Sequence, residues 1–468
     1  MTAAASRCVL WSVPHGATAG NILRTGVLAR VLDAAQDARV VILSPLAADP
    51  VFTQEFAHPR VTFEPLAAHV PAGLEGRLLA CIQARFMDVC ATDTMRIRGP
   101  KAFAHPPRFL GVKRWIGRAI APDAPRDWYD VSDRLVRDAA AEASFARHRP
   151  AVVVAATPGL ILSEIPLLRT ARRRRVRSMA VDLSWDNLTN RFFPPRQVDR
   201  LVLWNRTMLD EARDLHGYDA ERIAVAGVPQ FDSYFADARS TREAFCARVG
   251  LDPARRIITL ATIPASKFGH HGFVVDRLLD AIESGTIGEP ASVLVRLHPR
   301  DDAAPYERFA GRPRVVVEKP FRRTATRSGD GMDIDFMREN TRHLADTLFH
   351  SDVVLNVAST IAIEAAIFDT PVINIGFDGQ PGSNQALMDW HYGSTHFKKV
   401  LRSGAVRIAQ SPAEMIDLVN RYLGDPAGDA AGRQRIVAEQ CEFTDGRSAE
   451  RVAAEIVREL TSNGEVTD

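Results

Sequence analysis

Residues 349–379, which read FHSDVVLNVASTIAIEAAIFDTPVINIGFDG, constrain the fold of this chain more than any other segment. The apolar run at 352–357 is typical of a buried strand in a parallel sheet. Ser359 and Thr360 follow it with hydroxyl groups that favour the start of a helix, and a second apolar run occupies 372–375. This order of strand, turn, helix and strand predicts part of a parallel α/β sheet.

The turn at Ser359 and Thr360 is a candidate phosphate-binding site. A helix that begins at the carboxyl end of a parallel strand presents backbone N–H groups and the positive end of its dipole, and both favour phosphate. Glu364 lies one turn further along, where a carboxylate can accept hydrogen bonds from ribose hydroxyls. The alternative is a helix cap without a ligand, because the same pattern occurs in α/β proteins that bind nothing there.

Two other predicted strands end in polar residues. The run at 256–261 leads into a loop that contains Lys267, and the run at 292–297 is followed by His298 and Arg300. Because the carboxyl ends of parallel strands meet at one edge of a sheet, we expect these side chains to converge. The predicted site for a nucleotide diphosphate contains Lys267, His298, Arg300, Ser359, Thr360 and Glu364.

The amino-terminal half contains two candidates for a catalytic base. His15 follows the predicted strand at 8–13, and Asp186 follows the strand at 178–183 within the segment SWDNLTNR. Both lie where α/β enzymes place catalytic groups, and each has the alternative of capping a turn. The loop after the first strand lacks the spacing G-x-G-x-x-G, so we predict no dinucleotide site there.

A basic stretch at 94–120 interrupts this alternation of strands and helices. It contains seven lysines and arginines, no acidic residue and several interleaved aromatic and aliphatic residues. Such a composition suits an anionic lipid surface or an anionic glycan. The alternative is a solvated insertion that a few aromatic side chains anchor.

Length and composition limit the remaining possibilities. A chain of 468 residues suits two α/β domains, which we place at 1–235, with the basic insertion near 94–128, and at 236–445. The segment 446–468 is predicted to form a helix that returns to the first domain. With 59 basic and 57 acidic residues, the net charge of +2 gives no reason to expect a nucleic acid partner.

The cysteines and the apolar segments indicate the compartment. Five scattered cysteines without C-x-x-C spacing suggest reduced thiols, with neither disulfides nor a zinc site. We find no signal peptide and no apolar run long enough to span a membrane. We therefore expect a cytoplasmic protein, and the basic stretch leaves open a peripheral contact with the inner face of the cell membrane.

Three motifs in the second half resemble a known superfamily. In order they are HPRD at 298–301, the segment SDVVLNVASTIAIEAAIFDTPVINI at 351–375, and TDGRSAERVA at 444–453. This order is similar to the carboxyl halves of CDP-glycerol glycerophosphotransferases and of capsule and surface-polysaccharide transferases. The resemblance implies an α/β fold of two Rossmann-like, doubly wound domains facing a cleft, which is the GT-B architecture of glycosyltransferases.

The resemblance also implies roles for individual residues. Bacterial sialyltransferases of GT-B type have comparable His-Pro and Ser-Ser/Thr motifs that hold the nucleotide phosphates. Transferred to this chain, that implies His298, Ser359 and Thr360 on the donor phosphates and Glu364 on the ribose or the sugar. UDP-sugar 2-epimerases have glycines in a similar arrangement, where this chain has Ala358, Ser359 and Thr360.

We therefore expect a metal-independent glycosyltransferase in surface polysaccharide synthesis. It would move a sugar from a UDP- or CDP-linked donor to a glycan or lipid-linked acceptor, without another cofactor. The cationic and hydroxyl side chains of the predicted donor site would stabilise the leaving diphosphate, and His15 or Asp186 would deprotonate the acceptor. The alternatives are a CDP-polyol phosphotransferase, a UDP-sugar 2-epimerase and a non-catalytic sugar-nucleotide-binding protein.

Overall fold

The structure of the chain, a computed structural model, consists of two compact units. The first comprises Met1–Asp232, Arg322–Phe336 and Glu442–Asp468, and the second comprises Ser233–Phe321 and Met337–Cys441. The structure describes residues 7–90, 92–102, 109–126, 128–236, 238–264, 271–319, 322–323, 334–335, 338–378 and 384–462.

A parallel sheet of seven strands forms the centre of the first unit. Its strands follow the order β3-β2-β1-β4-β5-β6-β7, so the chain reverses direction across the sheet between β1 and β4. The central strands are apolar along their whole length because helices cover both faces. The strands are β1 Cys8–Ser12, β2 Arg39–Leu43, β3 Val61–Glu64, β4 Val152–Ala155, β5 Arg177–Val181, β6 Arg200–Leu203 and β7 Ile223–Val225.

Eleven described helices accompany this sheet before the chain reaches Asp232. They are α1 Gly16–Asn21, α2 Val27–Ala34, α3 Pro50–Glu55, α4 Gly73–Val89, α5 Asp93–Ala102, α6 Leu110–Ile120, α7 Asp130–Leu135, α8 Ala139–His148, α9 Ile165–Arg174, α10 Asn187–Asn190 and α11 Arg206–His216.

Four of the five helices between β3 and β4 form a block of their own. Helices α4 to α7 enclose a small apolar core in which the rings of Phe86 and Trp128 meet edge to face at 5.7 Å. Helix α6 packs closely on α4 at Gly117, where a Cβ atom would lie 2.5 Å from the carbonyl oxygen of Cys81. The block begins at Gly73, which is earlier than the basic stretch in the sequence indicates.

The last described helix belongs to the first unit. After α12 Asp232–Ala236, the chain completes the second unit and returns as α21 Ser448–Thr461. The Asp232 carboxylate accepts hydrogen bonds from the backbone N–H groups of Ser448 (2.9 Å) and Ala449 (2.7 Å). These bonds cap the helix, whose apolar face joins the core beneath α2.

The second unit contains a parallel sheet of six strands in the order β10-β9-β8-β13-β14-β15. These strands are β8 Arg256–Ala261, β9 Ala291–Arg296, β10 Val315–Glu318, β13 Val353–Asn356, β14 Val372–Ile375 and β15 Val406–Ala409. A short antiparallel pair, β11 Arg322–Arg323 and β12 Ile334–Asp335, is grouped with the first unit.

Eight described helices complete the second unit. The composition of residues 380–400, rich in glycine, histidine and asparagine, predicts a polar loop, but two of these helices occupy residues 384–403. That expectation was wrong because the buried side of this segment includes His391, Tyr392, His396 and Lys399, which hide its helical periodicity. The helices are α13 Arg242–Val249, α14 Gly272–Glu283, α15 Arg338–His350, α16 Ile361–Ile367, α17 Asn384–Tyr392, α18 Thr395–Ser403, α19 Pro412–Gly424 and α20 Ala430–Cys441.

None of the helices in the described part of the chain combines the length and the apolar character that crossing a bilayer requires.

The close approach of α6 to α4 predicts different effects for two glycines of the same helix. Gly117→Ala forces a Cβ against backbone and should destabilise the first unit by about 1–3 kcal/mol. Gly111→Ala is the control, since nothing lies within 4 Å of its added Cβ and alanine favours a helix. Scanning calorimetry should show a lower Tm for Gly117→Ala alone. Equal transitions for the two variants would contradict this packing.

Candidate functional site

The hydroxyl of Thr262 connects the loops that follow β8 and β9. It accepts a hydrogen bond from the backbone N–H of His298 at 2.9 Å and donates one to Asp301 Oδ2 at 2.7 Å. Asp301 also accepts from the Tyr306 hydroxyl at 3.3 Å. Thr262, Asp301 and Tyr306 are buried, so these bonds are shielded from water and hold the two loops in one position.

The imidazole of His298 has a defined donor side. Its Nδ1 accepts the backbone N–H of Arg300 at 3.0 Å. The neutral ring therefore carries its proton on Nε2, which is a donor suited to an anionic oxygen. His298 is half-buried and Arg300 is exposed, so one side chain is held by the loop while the other extends into solvent.

A second copy of the same tripeptide shows which part of this geometry is local. His58-Pro59-Arg60 precedes β3, and His58 Nδ1 accepts the N–H of Arg60 at 3.1 Å. His58 therefore has the same ring orientation, but it lies at the amino end of its strand. Position at the carboxyl edge, rather than the tripeptide itself, distinguishes His298.

The turn between β13 and α16 lies at the same edge of the second sheet. Strand β13 pairs with β8, and β8 pairs with β9, so the loops after these three strands are neighbours. Ser359 Oγ accepts the N–H of Ile361 at 3.3 Å, and Thr360 is the first residue of the turn into α16. Both are half-buried. The structure thus brings together the loops that carry His298, Arg300, Ser359 and Thr360.

The turn contains a strained residue. Ala358 has a φ of 36°, which lies in the left-handed region that residues other than glycine rarely adopt. Tyr392 lies against it, and the Tyr392 hydroxyl donates to the carbonyl of Ile375 at 2.6 Å. Burial raises the pKa of Tyr392 well above its ordinary value, and a hydrogen bond with the Ala358 backbone opposes that rise. Tyr392 therefore joins the ends of β13 and β14, and no local pattern in the sequence indicates this role.

Glu364 occupies a different environment from the one the sequence suggests. It is buried, and its Oε2 accepts the Tyr234 hydroxyl at 2.7 Å. Burial raises the pKa of Glu364, while the Tyr234 bond and the charge of Arg296 lower it. The carboxylate therefore links α16 to Tyr234, and its contact with a ribose or sugar stays a prediction. The partners are 130 positions apart, so no local pattern indicates the pair. Lys267 lies outside the described residues.

In the first unit, His15 caps a short helix. Its Nδ1 accepts the backbone N–H of Thr18 at 3.3 Å and lies 3.0 Å from the Thr18 hydroxyl. The neutral ring therefore carries its proton on Nε2 and offers no lone pair there. His15 follows β1 and Asp186 follows β5, and β4 lies between these two strands in the sheet. The two candidates for a base are thus not on neighbouring strands.

Asp186 belongs to a polar network that reaches the helical block. Its carboxylate accepts hydrogen bonds from the Ser184 hydroxyl and, at 2.8 Å, from Asn190 Nδ2. Asn190 in turn accepts from an Arg98 Nη1 at 2.8 Å, and Arg98 lies on α5. The insertion therefore contributes to holding the Asp186 side chain in place.

Asp182, on the same loop, is a buried acid. Its Oδ1 accepts Asn187 Nδ2 at 2.5 Å, whereas its Oδ2 accepts no hydrogen bond from any residue that the structure describes. Burial raises the pKa of Asp182 to about 7, the bonds from Asn187 and Ser184 oppose the rise, and the charge of Asp186 adds to it. Asp182 lies within the predicted strand at 178–183, and no local pattern in the sequence indicates that it is buried.

Among the residues that the structure describes, no group of three or more histidine, cysteine, aspartate or glutamate side chains is arranged to hold a metal ion.

The sequence profile of the CDP-Glycerol:Poly(glycerophosphate) glycerophosphotransferase family matches residues 129–458. The chain belongs to this family. The matched segment contains Asp186, His298, Ser359 and Thr360. It begins after His15 and after most of the helical block. A comparison with curated proteins finds no match to this glycerophosphotransferase-family chain.

Solved structures with a similar fold cover nearly the whole length of this family member. MnaA from S. aureus, in a structure with UDP, has a TM-score of 0.55 and 11% identity, with 98% of both chains covered. UDP-GlcNAc 2-epimerase from Neisseria meningitidis, bound to UDP-GlcNAc, has a TM-score of 0.51 and 8% identity, with 96% of this chain and 99% of that chain covered.

A variant of the wall teichoic acid polymerase TagF has a TM-score of 0.51 and 11% identity, with 98% of this chain and 89% of that chain covered. At these identities the likeness concerns the fold alone. Together with the two parallel sheets, it confirms the predicted α/β fold of GT-B type. The protein is a transferase of this class.

The buried position of Asp182 predicts a pH-dependent stability. Because the folded-state pKa of about 7 exceeds the ordinary value of 3.8, stability from this group is present at low pH and is lost as pH rises from about 4 to 7. Asp182→Asn removes the titration. The Tm of this variant relative to the unsubstituted protein should therefore rise with pH. The corresponding gain in the free energy of unfolding reaches about 4 kcal/mol above pH 7.

The control for this experiment is Asp210→Asn, which alters an exposed carboxylate on α11. Scanning calorimetry from pH 4 to 8 would contradict the account of Asp182 if the Tm difference for Asp182→Asn stayed constant over that range.

Proposed function

We propose that the protein transfers a polyol phosphate, such as glycerol phosphate, from a CDP-linked donor to a hydroxyl group of a polymer or lipid-linked acceptor. The observation that carries this proposal is the family match over residues 129–458, because the family description names both the donor and a polymeric acceptor. The loops of the second unit support it, since they bring groups suited to phosphate to one edge of a sheet.

The proposed reaction is attack of an acceptor hydroxyl on the β-phosphorus of the donor. A new P–O bond forms to the acceptor oxygen, and the bond between the β-phosphorus and the bridging oxygen breaks. CMP leaves with that electron pair, and the hydroxyl proton passes to a general base. Charge develops on the bridging oxygen and on the oxygens of the transferred phosphate.

Four residues of the second unit would stabilise that charge. His298 Nε2–H is a hydrogen-bond donor, Arg300 is a cation, and Ser359 and Thr360 contribute hydroxyls at the start of α16. Fixed donors aimed at developing charge lower an activation barrier because they need no reorganisation. Lys267 would add a point charge. In this proposal these groups serve in place of a metal ion.

We propose Asp186 as the general base. A carboxylate is an acceptor at neutral pH, and the bonds from Ser184 and Asn190 orient Asp186. His15 suits the role less well, because its Nδ1 is occupied by Thr18 and its Nε2 carries the proton. His15 would instead donate its Nε2 proton in a hydrogen bond to an oxygen of the acceptor.

Transfer of a glycosyl group from a UDP- or CDP-linked sugar, the prediction made from the sequence, would use the same phosphate contacts. It differs in the bond that breaks, since the acceptor attacks the sugar carbon and a nucleoside diphosphate leaves. A 2-epimerase would change its donor without an acceptor, and a binding protein would release no nucleotide.

The leaving nucleotide tests the proposal. Incubated in EDTA with CDP-glycerol and a glycerol phosphate oligomer, the protein should release CMP in proportion to elongation of the oligomer. Chromatography with mass detection identifies both products. Release of a nucleoside diphosphate from UDP- or CDP-sugars, with CDP-glycerol inert, would overturn polyol phosphate transfer in favour of glycosyl transfer.

Variants connect this reaction to the site. Asp186→Asn should lower CMP release by about 10²- to 10⁴-fold, which is the range for loss of a general base. Asp210→Asn is the matched control in the same unit and should retain full activity. Equal activity for both variants would exclude Asp186 as the base.

A further inference from the structure

Helix α10 lies between the proposed base and an arginine. Asp186 is the residue before its first turn, and Arg191 is the residue after its last turn. At a rise of about 1.5 Å per residue, the five positions between them correspond to about 7–8 Å along the helix. The helix follows β5 along the chain, so a carboxylate and a guanidinium bracket one short segment of the first unit.

The first asparagine of α10 connects a buried carboxylate to Arg191. Asn187 Nδ2 donates to Asp182 Oδ1 at 2.5 Å, and this bond fixes the direction of the amide oxygen. Asn187 Oδ1 accepts two hydrogen bonds from Arg191, one from Nε at 3.1 Å and one from Nη2 at 3.0 Å. Because Asn187 is buried, the guanidinium is held in one orientation although Arg191 itself is exposed.

The last asparagine of α10 repeats this arrangement around the proposed base. Asn190 Nδ2 donates to Asp186 Oδ2 at 2.8 Å, and Asn190 Oδ1 accepts from Arg98 Nη1 at 2.8 Å. Burial lowers the pKa of Arg98, and the charge of Asp186 opposes that fall. Each asparagine therefore places a neutral amide between a carboxylate and a guanidinium. We call these two chains of contacts the α10 relays: Asp182–Asn187–Arg191 and Asp186–Asn190–Arg98.

The guanidinium of Arg191 keeps its charge and one of its edges. Both bonds to Asn187 use the edge formed by Nε and Nη2. Nη1 donates to none of the residues that the structure describes, and no described carboxylate forms an ion pair with Arg191. An amide oxygen orients a guanidinium without cancelling its charge. The edge formed by Nη1 and Nη2 has the fork geometry that matches a phosphate group.

The relay that ends at Arg191 lowers the stability of the fold. Asp182 is 1% exposed, and its Oδ2 accepts no hydrogen bond within the described part of the chain. An exposed arginine gains little stability from being held in place. A buried carboxylate that orients such an arginine is therefore better explained by binding than by stability.

We propose that Arg191 is a specificity-determining residue that binds a phosphate group of the acceptor, next to the hydroxyl that reacts. This inference rests on the proposed function and adds a residue to it. The hydroxyl would lie at Asp186 and the adjoining phosphate on the Nη1–Nη2 edge of Arg191, since one polyol phosphate unit spans the length of α10. Arg98 is a positioning residue, because it acts on Asp186 through Asn190.

The phosphates of the donor have the same chemistry as a phosphate of the acceptor. The position of Arg191 favours the acceptor, because α10 begins at Asp186, which takes the proton of the acceptor in the proposed reaction. The donor has a predicted set of phosphate-binding groups in the second unit. Kinetic constants for the two substrates distinguish these sources.

Calorimetric titration of the full chain with a glycerol phosphate oligomer, without donor, tests the binding. Arg191→Gln should weaken the Kd by about 10- to 100-fold, because it removes hydrogen bonds between charged groups. Arg191→Lys keeps the charge but not the fork, so its Kd should lie between those two values. Arg213→Gln is the matched control and should bind like the unsubstituted protein. Arg213 is also exposed in the first unit, but it pairs with Asp210 at 3.0 Å and with Asp214 at 2.7 Å.

Rates of CMP release separate the acceptor from the donor. Arg191→Gln should raise the KM for the oligomer more than the KM for CDP-glycerol. Glycerol is an acceptor without phosphate, so the preference for the oligomer over glycerol, measured as a ratio of kcat/KM values, should fall by about 10- to 100-fold. A purely structural role of Arg191 would not change this ratio.

Four results would overturn the inference. These are no binding of the oligomer by the unsubstituted protein, equal Kd values for Arg191→Gln and Arg213→Gln, a larger rise in the KM for CDP-glycerol than for the oligomer, and an unchanged preference for the oligomer over glycerol. The titration requires no turnover. Binding of the oligomer through Arg191 without CMP release would therefore contradict the proposed transfer alone, and CMP release with binding that does not depend on Arg191 would contradict this inference alone.

Discussion

The hydrogen bonds of the Thr262 hydroxyl are the interaction on which the candidate donor site depends. One hydroxyl accepts from the backbone of His298 and donates to Asp301, so it fixes the end of β8 relative to the end of β9. The two strands are apolar and specify only the sheet. The polar residues just beyond them specify the loops, and the loops determine where the His298 imidazole presents its Nε2 proton. Without this link, the side chains at the edge would share a sheet but no defined geometry.

Buried acids have distinct roles in the two units. Glu364 has a tyrosine partner and holds α16, the helix that begins at the turn of Ser359 and Thr360. Asp182 has one oxygen without a partner among the described residues, and it lies four positions from Asp186. Burial of a carboxylate with one unpaired oxygen disfavours its charged form, which raises the pKa and lowers stability at neutral pH. Such costs are concentrated at functional sites in many proteins, and here the cost falls on the loop that carries the proposed base.

Much of the architecture can be predicted from the sequence, because buried parallel strands are continuous apolar runs. The runs at 256–261 and 372–375 coincide with β8 and β14. The helices α17 and α18 were missed because their buried faces include polar residues. The partner of Glu364 was missed because Tyr234 is distant in the sequence. The two His-Pro-Arg tripeptides are identical in sequence and in ring orientation, and they differ in position: one follows β9, and the other precedes β3.

Calorimetric titration with CDP tests the central claim most directly, namely that the loops after β8, β9 and β13 bind a nucleotide diphosphate. His298→Ala should weaken the Kd by about tenfold or more, since it removes a hydrogen bond to a charged group. His58→Ala is the matched control, because it removes an imidazole from an identical tripeptide at the amino end of β3. This variant should leave the Kd for CDP unchanged. If both variants keep their Tm and bind CDP as tightly as the unsubstituted protein, the claim is wrong.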